Sequence, residues 1–332
     1  MTPRRAGLLP VLCALLGALA CWRPPAAAEP MALSAVEGDA RFDPAELVAG
    51  TVSDAATCRT ISGAVWVRVE ERGDCIRYYA GGLKPGRTNP DAIVFLHGDV
   101  LNVLTNGAGV QAPEPYGETT PSGITRNVRR WAEEAGRPVL FIAKPGTFGS
   151  SGDHKERRRP REVALVAAAL DQIKRRHGLE RLHLAGQSGG GHMVAALIAQ
   201  RRDIGCAVIA AGATAVRQRW QELGRAADLT GFADVYDPID HVTGIPRRPA
   251  PRIIVISDPR DRRVSISSQS AYLDRLRDID FSPLHVIAGA PAPDYHGLAG
   301  AARMAARLCA DGATEADIAM AVQTRWPPPA SQ

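Results

Sequence analysis

The residues best placed to do chemistry in this chain lie in Leu182-His183-Leu184-Ala185-Gly186-Gln187-Ser188-Gly189-Gly190-Gly191-His192. A short apolar strand runs into a G-x-S-x-G turn, and a small-residue helix, Met193 to Ala199, follows at once. Glycines two residues to either side of Ser188 allow a tight turn that lifts the hydroxyl clear of the backbone. The helix start then aims backbone N–H groups at negative charge developing beside the serine. The five-letter pattern alone occurs by chance, and its strand–turn–helix setting is what gives it meaning. The competing reading is a Gly-rich turn in an ordinary α/β protein. A nucleophilic serine needs an imidazole to accept its proton and a carboxylate to fix the imidazole tautomer. It also needs preorganised donors for the oxyanion, each worth about 3–4 kcal/mol where removed in other enzymes.

The elements that must position such groups are legible as apolar runs. Ala92 to Leu96, Pro138 to Ala143, residues 182–185, Cys206 to Ala211, Arg252 to Ser257 and Leu284 to Ala288 read as buried strands. Helical patterns fall between them, over Asn127 to Ala135, Arg161 to His177, Met193 to Arg201, Ser267 to Arg277 and Ala299 to Cys309. Continuous apolar strands alternating with helices indicate a parallel sheet covered on both faces. Ala64 to Glu71 and Ile76 to Ala80 read instead as an antiparallel hairpin before that sheet.

With the elbow and this alternation in place, residues 60–310 resemble the α/β-hydrolase family. The resemblance implies an α/β fold: a mostly parallel, doubly wound sheet with an N-terminal antiparallel hairpin and a small cap insert. It also implies the chain order nucleophile, acid, histidine. Ser188 would be the nucleophile. The acid would follow the strand ending at Ser257, where the family's D-x-x-V pattern fits Asp261 and Asp258 competes. The histidine would follow the last strand, and of the chain's eight histidines only His296 fits order and position. The first oxyanion donor would be the Gly189 backbone N–H, and the second that of Asp99, after His97-Gly98. The family often has a glycine or an apolar residue at that second position. A carboxylate there would repel the oxyanion unless it pointed away or was bonded elsewhere.

Other residues carry weaker signals. His97 either braces the oxyanion loop or touches substrate, His192 reads as a packed core histidine, and His285 lies within a strand. His154 sits in a loop that could border the site. No His/Cys/Asp/Glu cluster has zinc spacing and no G-x-G-x-x-G or Walker pattern follows a strand, so neither metal nor nucleotide cofactor is expected. The run Arg157-Arg158-Arg159-Pro160-Arg161 reads as a solvated loop, with binding of an acidic substrate group as the alternative. Aromatic residues make up 5% of the chain and are not interleaved with a broad basic face, so nucleic acid is not an expected partner.

Residues 1–28 combine Arg4-Arg5, an apolar run from Ala6 to Ala20 and a small-residue ending at Ala28, the layout of a secretory signal peptide. The run is shorter than the ~20 residues of a transmembrane helix. A lipoprotein acylated at Cys21 is the alternative. Losing Arg4, Arg5 and Arg23 lowers the formal charge from +5 to +2. Periplasmic or secreted placement makes disulfides possible. Cys58 and Cys75 flank the first hairpin strand, Ala64 to Glu71, and are expected to pair, while Cys206 and Cys309 either pair or stay as buried thiols. The remaining layout is a flexible leader over 29–57, a catalytic domain over 58–311, a cap insert near 213–250 and a frayed tail over 312–332.

The expected activity is hydrolysis of a carboxylic ester or thioester through an acyl-enzyme on Ser188. Tyr236 to Val242, Asp261-Arg262-Arg263-Val264 and the Gly-rich run after Ser188 resemble the hydrolase domain of the prolyl oligopeptidase branch, without room for its β-propeller. A peptidase for short peptides is therefore the alternative, and a non-catalytic hydrolase-fold binding protein is the reading from a different class.

Overall fold

The computed structural model describes residues 29–84, 89–103 and 109–330. The expected signal segment and Cys21 lie outside them.

Eight strands form one sheet: β1 (Ala64–Val69), β2 (Arg72–Gly81), β3 (Asn89–Leu96), β4 (Val139–Ile142), β5 (Leu179–Gln187), β6 (Ile204–Ala210), β7 (Arg252–Ser257) and β8 (Leu284–Ile287). Their spatial order is β1-β2-β4-β3-β5-β6-β7-β8. β2 runs antiparallel to both β1 and β4, and every other pairing is parallel. The hairpin is short because only Glu70 and Glu71 separate its strands, with Glu70 at φ 56°. The parallel strands are buried on both faces, as four consecutive buried residues in β4 show.

Helices α1 (Pro44–Ala49), α2 (Ala55–Thr60), α3 (Pro121–Ala135), α4 (Pro160–His177), α5 (Gly189–Ile198), α6 (Val216–Glu222), α7 (Ile266–Arg277), α8 (Ala299–Ala310) and α9 (Glu315–Arg325) surround the sheet. Val163, Val166, Ala169, Leu170 and Ile173 place an apolar stripe of α4 against one sheet face, together with α5 and α7. Ile124 and Val128 of α3, with Ala302 and Ala305 of α8, cover the other. Each large aliphatic side chain so buried contributes about 1.5–3 kcal/mol. Gly178, at φ 58°, and Gly136, at φ 62°, end α4 and α3 in the left-handed region.

Two terminal segments differ from their expected form. Residues 29–57 were expected as a leader without regular structure, yet they carry α1 and α2 and bury Phe42 and Leu47 in the main core. Asp43 caps α1 by accepting from Ala45 N, and Asp54 caps α2 by accepting from Thr57 N. Residues 312–332 were expected to fray, but α9 starts at a Thr314 cap and buries Ile318 and Val322. Both helices of the leader are six residues long, too short for a period to show in the sequence.

Cys58 and Cys75 form the expected disulfide, and Cys206 and Cys309 form a second, tying β6 to α8. Their sequence separations are 17 and 103 residues. On loop-closure entropy alone the longer bridge contributes about 4.7 kcal/mol and the shorter about 3. Replacing Cys206 and Cys309 together by alanine is thus expected to lower the unfolding free energy more than replacing Cys58 and Cys75. Denaturant titration of the two double variants checks this, and equal losses would show that strain or residual structure outweighs closure. Among the described residues no helix is long and apolar enough to cross a membrane.

Candidate active site

Ser188 joins β5, in the middle of the sheet, to α5 and sits at φ 58° and ψ −121°. A positive φ at a non-glycine residue costs energy and is held by its surroundings. Ser188 N donates to Ala210 O at 3.0 Å, and Ser188 O accepts from His192 N at 3.0 Å. Two glycines let the backbone close up here. A Cβ on Gly186 would meet Gly190 O at 2.2 Å, and one on Gly190 would meet Leu96 O at 1.9 Å. Strand, turn and helix therefore pack at a distance no other residue allows, and Ser188 is left partly exposed at the carboxyl ends of the strands.

The loop after β7 carries both candidate acids and gives them different partners. Asp258 accepts from Arg260 N at 2.9 Å and Ala290 N at 2.8 Å, and pairs with Arg260 Nη2 at 2.8 Å. Burial raises its pKa, but these bonds hold it below the ordinary carboxylate range. Asp261 lies one turn on. Its Oδ1 accepts from Arg263 N at 2.8 Å and Val264 N at 3.0 Å, leaving Oδ2 for His296 Nδ1 at 2.8 Å. Gln187, next to Ser188, donates to His296 O at 2.9 Å and so ties the histidine loop to the elbow. His296 Nε2 is buried without a hydrogen-bond partner among the described residues.

Ser188 and His296 line one cavity of about 500 Å³ with Gly98, Asp99, Leu101 and Gln187. The segment 213–250 adds Ala213, Arg219, Arg225 and Leu229 to its wall. That segment folds as α6 and a 3₁₀ turn over Pro238–Gly244, joined where Asp237 accepts from Val216 N and Arg217 N.

Asp99 is close to Gly189: a Cβ there would stand 2.0 Å from Asp99 Oδ1. Its carboxylate is also bonded elsewhere, to Lys144 Nζ at 2.9 Å and to Arg158 Nη1, and forms an ion pair with Arg157 Nε at 3.3 Å. Burial opposes its ionisation, yet Arg158, Lys144 and Arg157 hold its pKa well below the usual carboxylate range. The negative charge that this carboxylate brings beside Gly189 is thereby offset by three cations.

The arginine run is not a solvated loop. Arg157 and Arg158 are 2% and 3% exposed. Arg158 binds buried Asp228 through Nη2 at 2.8 Å and donates its backbone N–H to Glu162. The carboxylates that draw it inward lie 59 and 70 residues away in the chain, so a local charge pattern gave no warning. Arg159 alone behaves as read, pairing with Asp234 at the surface.

The side chains of His97, His192, His154 and His285 are held by packing and by hydrogen bonds to groups other than Ser188, Asp261 and His296. His97 Nδ1 lies 2.6 Å from Gly98 O, and Nε2 accepts from Lys144 N at 3.2 Å, which braces the loop entering the site. His192 Nε2 donates to Tyr236 O at 2.7 Å. His154 Nε2 accepts from Val100 N at 3.3 Å, and His285 faces Ser257 Oγ at 3.2 Å. Burial pushes His97 and His192 down to about 3 and His154 well below its usual value.

A mostly parallel eight-stranded sheet, helices on both faces and a strained serine between the central strand and its helix decide the architecture. The chain has the α/β-hydrolase fold. No protein-family model matches it, and no curated protein does. Solved structures are similar to it at low identity. Est1E from Butyrivibrio proteoclasticus is 14% identical over 74% of this chain and 96% of its own, with a TM-score of 0.48. The Pyrococcus furiosus esterase Pf2001 is 13% identical over 90% and 99%, with a TM-score of 0.48. The acylaminoacyl peptidase of Pyrococcus horikoshii is 14% identical over 71% of this chain, also at 0.48, and the matched part spans 37% of that protein.

Proposed function

We propose that the protein is a serine hydrolase that cleaves a carboxylic ester or thioester. The observation that carries this reading is a buried His296 held by Asp261 at 2.8 Å, its Nε2 unpartnered, lining the same cavity as Ser188 on its strained turn. Ser188 Oγ attacks the acyl carbon as His296 Nε2 takes the hydroxyl proton, forming the Oγ–C bond. Asp261 fixes the tautomer with the proton on Nδ1 and stabilises the imidazolium. Gly189 N–H and Asp99 N–H hold the oxyanion. Collapse breaks the bond to the leaving alcohol or thiol, which departs with the proton from His296. Water, activated by the same imidazole, then releases the acid and restores Ser188.

An ester is preferred to cleavage next to a peptide's free amino end because arginines dominate the cavity wall and Asp99 is already neutralised, which disfavours an ammonium group there. Side-by-side rates on p-nitrophenyl acyl esters and aminoacyl anilides test that preference, and faster anilide cleavage would reverse it. The signal-like start and the two disulfides support an exported protein, cut after Ala28 and folded in an oxidising compartment. N-terminal sequencing of the native protein tests this, and a retained Met1 would overturn it.

The acid assignment gives a comparison. Asp261→Asn is expected to lower kcat by about three to four orders of magnitude, because the wrong tautomer then faces Ser188. Asp258→Asn is expected to act on stability, through its bonds to Arg260 and Ala290, with a far smaller loss of kcat. Steady-state rates and melting curves of both variants check it, and a larger rate loss at Asp258 would reverse the roles.

A further inference from the structure

The cavity holding Ser188 is lined by Arg157, Arg158, Arg219, Arg225 and Arg263, and among the described residues Asp99 is its only carboxylate. Deep in the wall the charges balance. Lys144, Arg157 and Arg158 stand against Asp99, Asp228 and Glu162 in one set of ion pairs. Yet Arg157, 2% exposed, leaves its Nη1 buried without a hydrogen-bond partner. An unsatisfied donor of this kind is costly unless something arrives to accept from it.

Nearer the mouth, the cations outnumber their partners. Arg219 donates Nε to Arg263 O at 2.7 Å and has no carboxylate within ion-pair distance among the described residues. The Arg225 guanidinium has no partner among them. Arg263 reaches Asp294 at 3.8 Å, and both side chains are half exposed. Packing like charges around a small cavity costs free energy, and a bound anion would recover it. Guanidinium forks are shaped for the planar oxygens of carboxylate or for phosphate.

We infer that this cavity is built to hold an anionic group of the substrate, a carboxylate or a phosphate, against Arg157, Arg219 and Arg225 while the acyl carbon lies at Ser188. The inference rests on the serine-hydrolase reading for the second half of that statement and not for the first. The substrate is thus the ester of an acid that carries a second, ionised group. The oxyanion pocket and the anion pocket are distinct: Gly189 and Asp99 serve the reacting oxygen, and the arginines serve the remote end.

The test pairs two esters of equal chain length, mono-p-nitrophenyl adipate and p-nitrophenyl hexanoate, which differ by one terminal carboxylate. At low ionic strength kcat/KM is expected to favour the adipate by about ten-fold or more, as one charge-assisted contact allows. Added salt should erode that preference, since exposed arginines take part. Arg219→Gln and Arg225→Gln should each reduce the adipate-to-hexanoate ratio severalfold; Arg225 is exposed, so its variant spares the fold, and Arg219, half-buried and bonded to Arg263 O, is read beside its melting curve. A second measurement needs no turnover: calorimetric titration of Ser188→Ala with adipate and with phenyl phosphate. Saturable binding that weakens in Arg225→Gln supports the proposal, and the tighter of the two ligands assigns carboxylate or phosphate. A ratio at or below one, together with no saturable binding of either anion, overturns it. Failure of the hydrolase reading is distinguishable, because it would show as no cleavage of either ester and no labelling of Ser188 by an uncharged fluorophosphonate, whatever the calorimetry gave.

Discussion

Replacing Ser188 by alanine is expected to lower ester hydrolysis by at least about three orders of magnitude and to abolish labelling by a fluorophosphonate. The fold should be indifferent to the change. Ser188 bonds its neighbours through backbone atoms, to Ala210, His192 and Ala213, and alanine keeps all three. Both residue types meet the same steric cost at φ 58°, so the strain of the turn is unaltered. The loss should therefore appear in kcat with no change in the melting temperature. A variant that hydrolysed esters at near-native rate would remove Ser188 from the chemistry and with it the proposed function.

The second large effect concerns acid. His97, His154 and His192 are buried, and their folded-state pKa values lie well below the ordinary histidine value. Burial is the leading cause at each, reinforced by Lys144 at His97 and His154 and by Arg158 at His192. In the unfolded chain the same imidazoles protonate near pH 6.5. Below that pH the unfolded state binds protons that the folded state refuses until about pH 3, so stability falls as pH falls. Each histidine removes up to about 1.4 kcal/mol per pH unit in this window, and together they remove about 4. Asp99, held well below the ordinary carboxylate range, adds a further loss only under about pH 4. Denaturant unfolding at pH 7.5 and pH 5.5 measures the histidine share. Equal stability at the two values would mean that these rings take up protons in the fold as readily as in the unfolded chain.

What could be read from the sequence depended on the range of the interactions involved. The six parallel strands were visible because each is a continuous apolar run, and such runs belong to sheets buried on both faces. The elbow was visible because its glycines and its serine are neighbours in sequence. The family's chain order pointed to His296 and its D-x-x-V pattern to Asp261, with Asp258 left open beside it, and in the structure Asp261 Oδ2 lies 2.8 Å from His296 Nδ1. Arg157 and Arg158 were misread because their partners, Asp99 and Asp228, come from other loops and sequence shows only the like charges beside them. The Cys206–Cys309 bridge spans 103 residues and remained one of two options for the same reason. The caps at Asp43, Asp54 and Thr314 were present in the sequence, but the helices behind the first two are six residues long, and the eleven-residue one behind the third buries only Ile318 and Val322.

The buried charge set has a consequence for how the protein can vary. Lys144, Arg157, Arg158, Asp228 and Glu162 are buried, Asp99 is half-buried at the cavity wall, and the six neutralise one another. Loss of any single member strands an opposite charge in the interior, whereas joint replacement by apolar residues of similar volume is often tolerated. Substitutions at these positions should therefore be strongly epistatic, harmful alone and mild in matched pairs. Lineages of this protein would be expected to inherit the six as one character, exchanging them together or leaving them untouched.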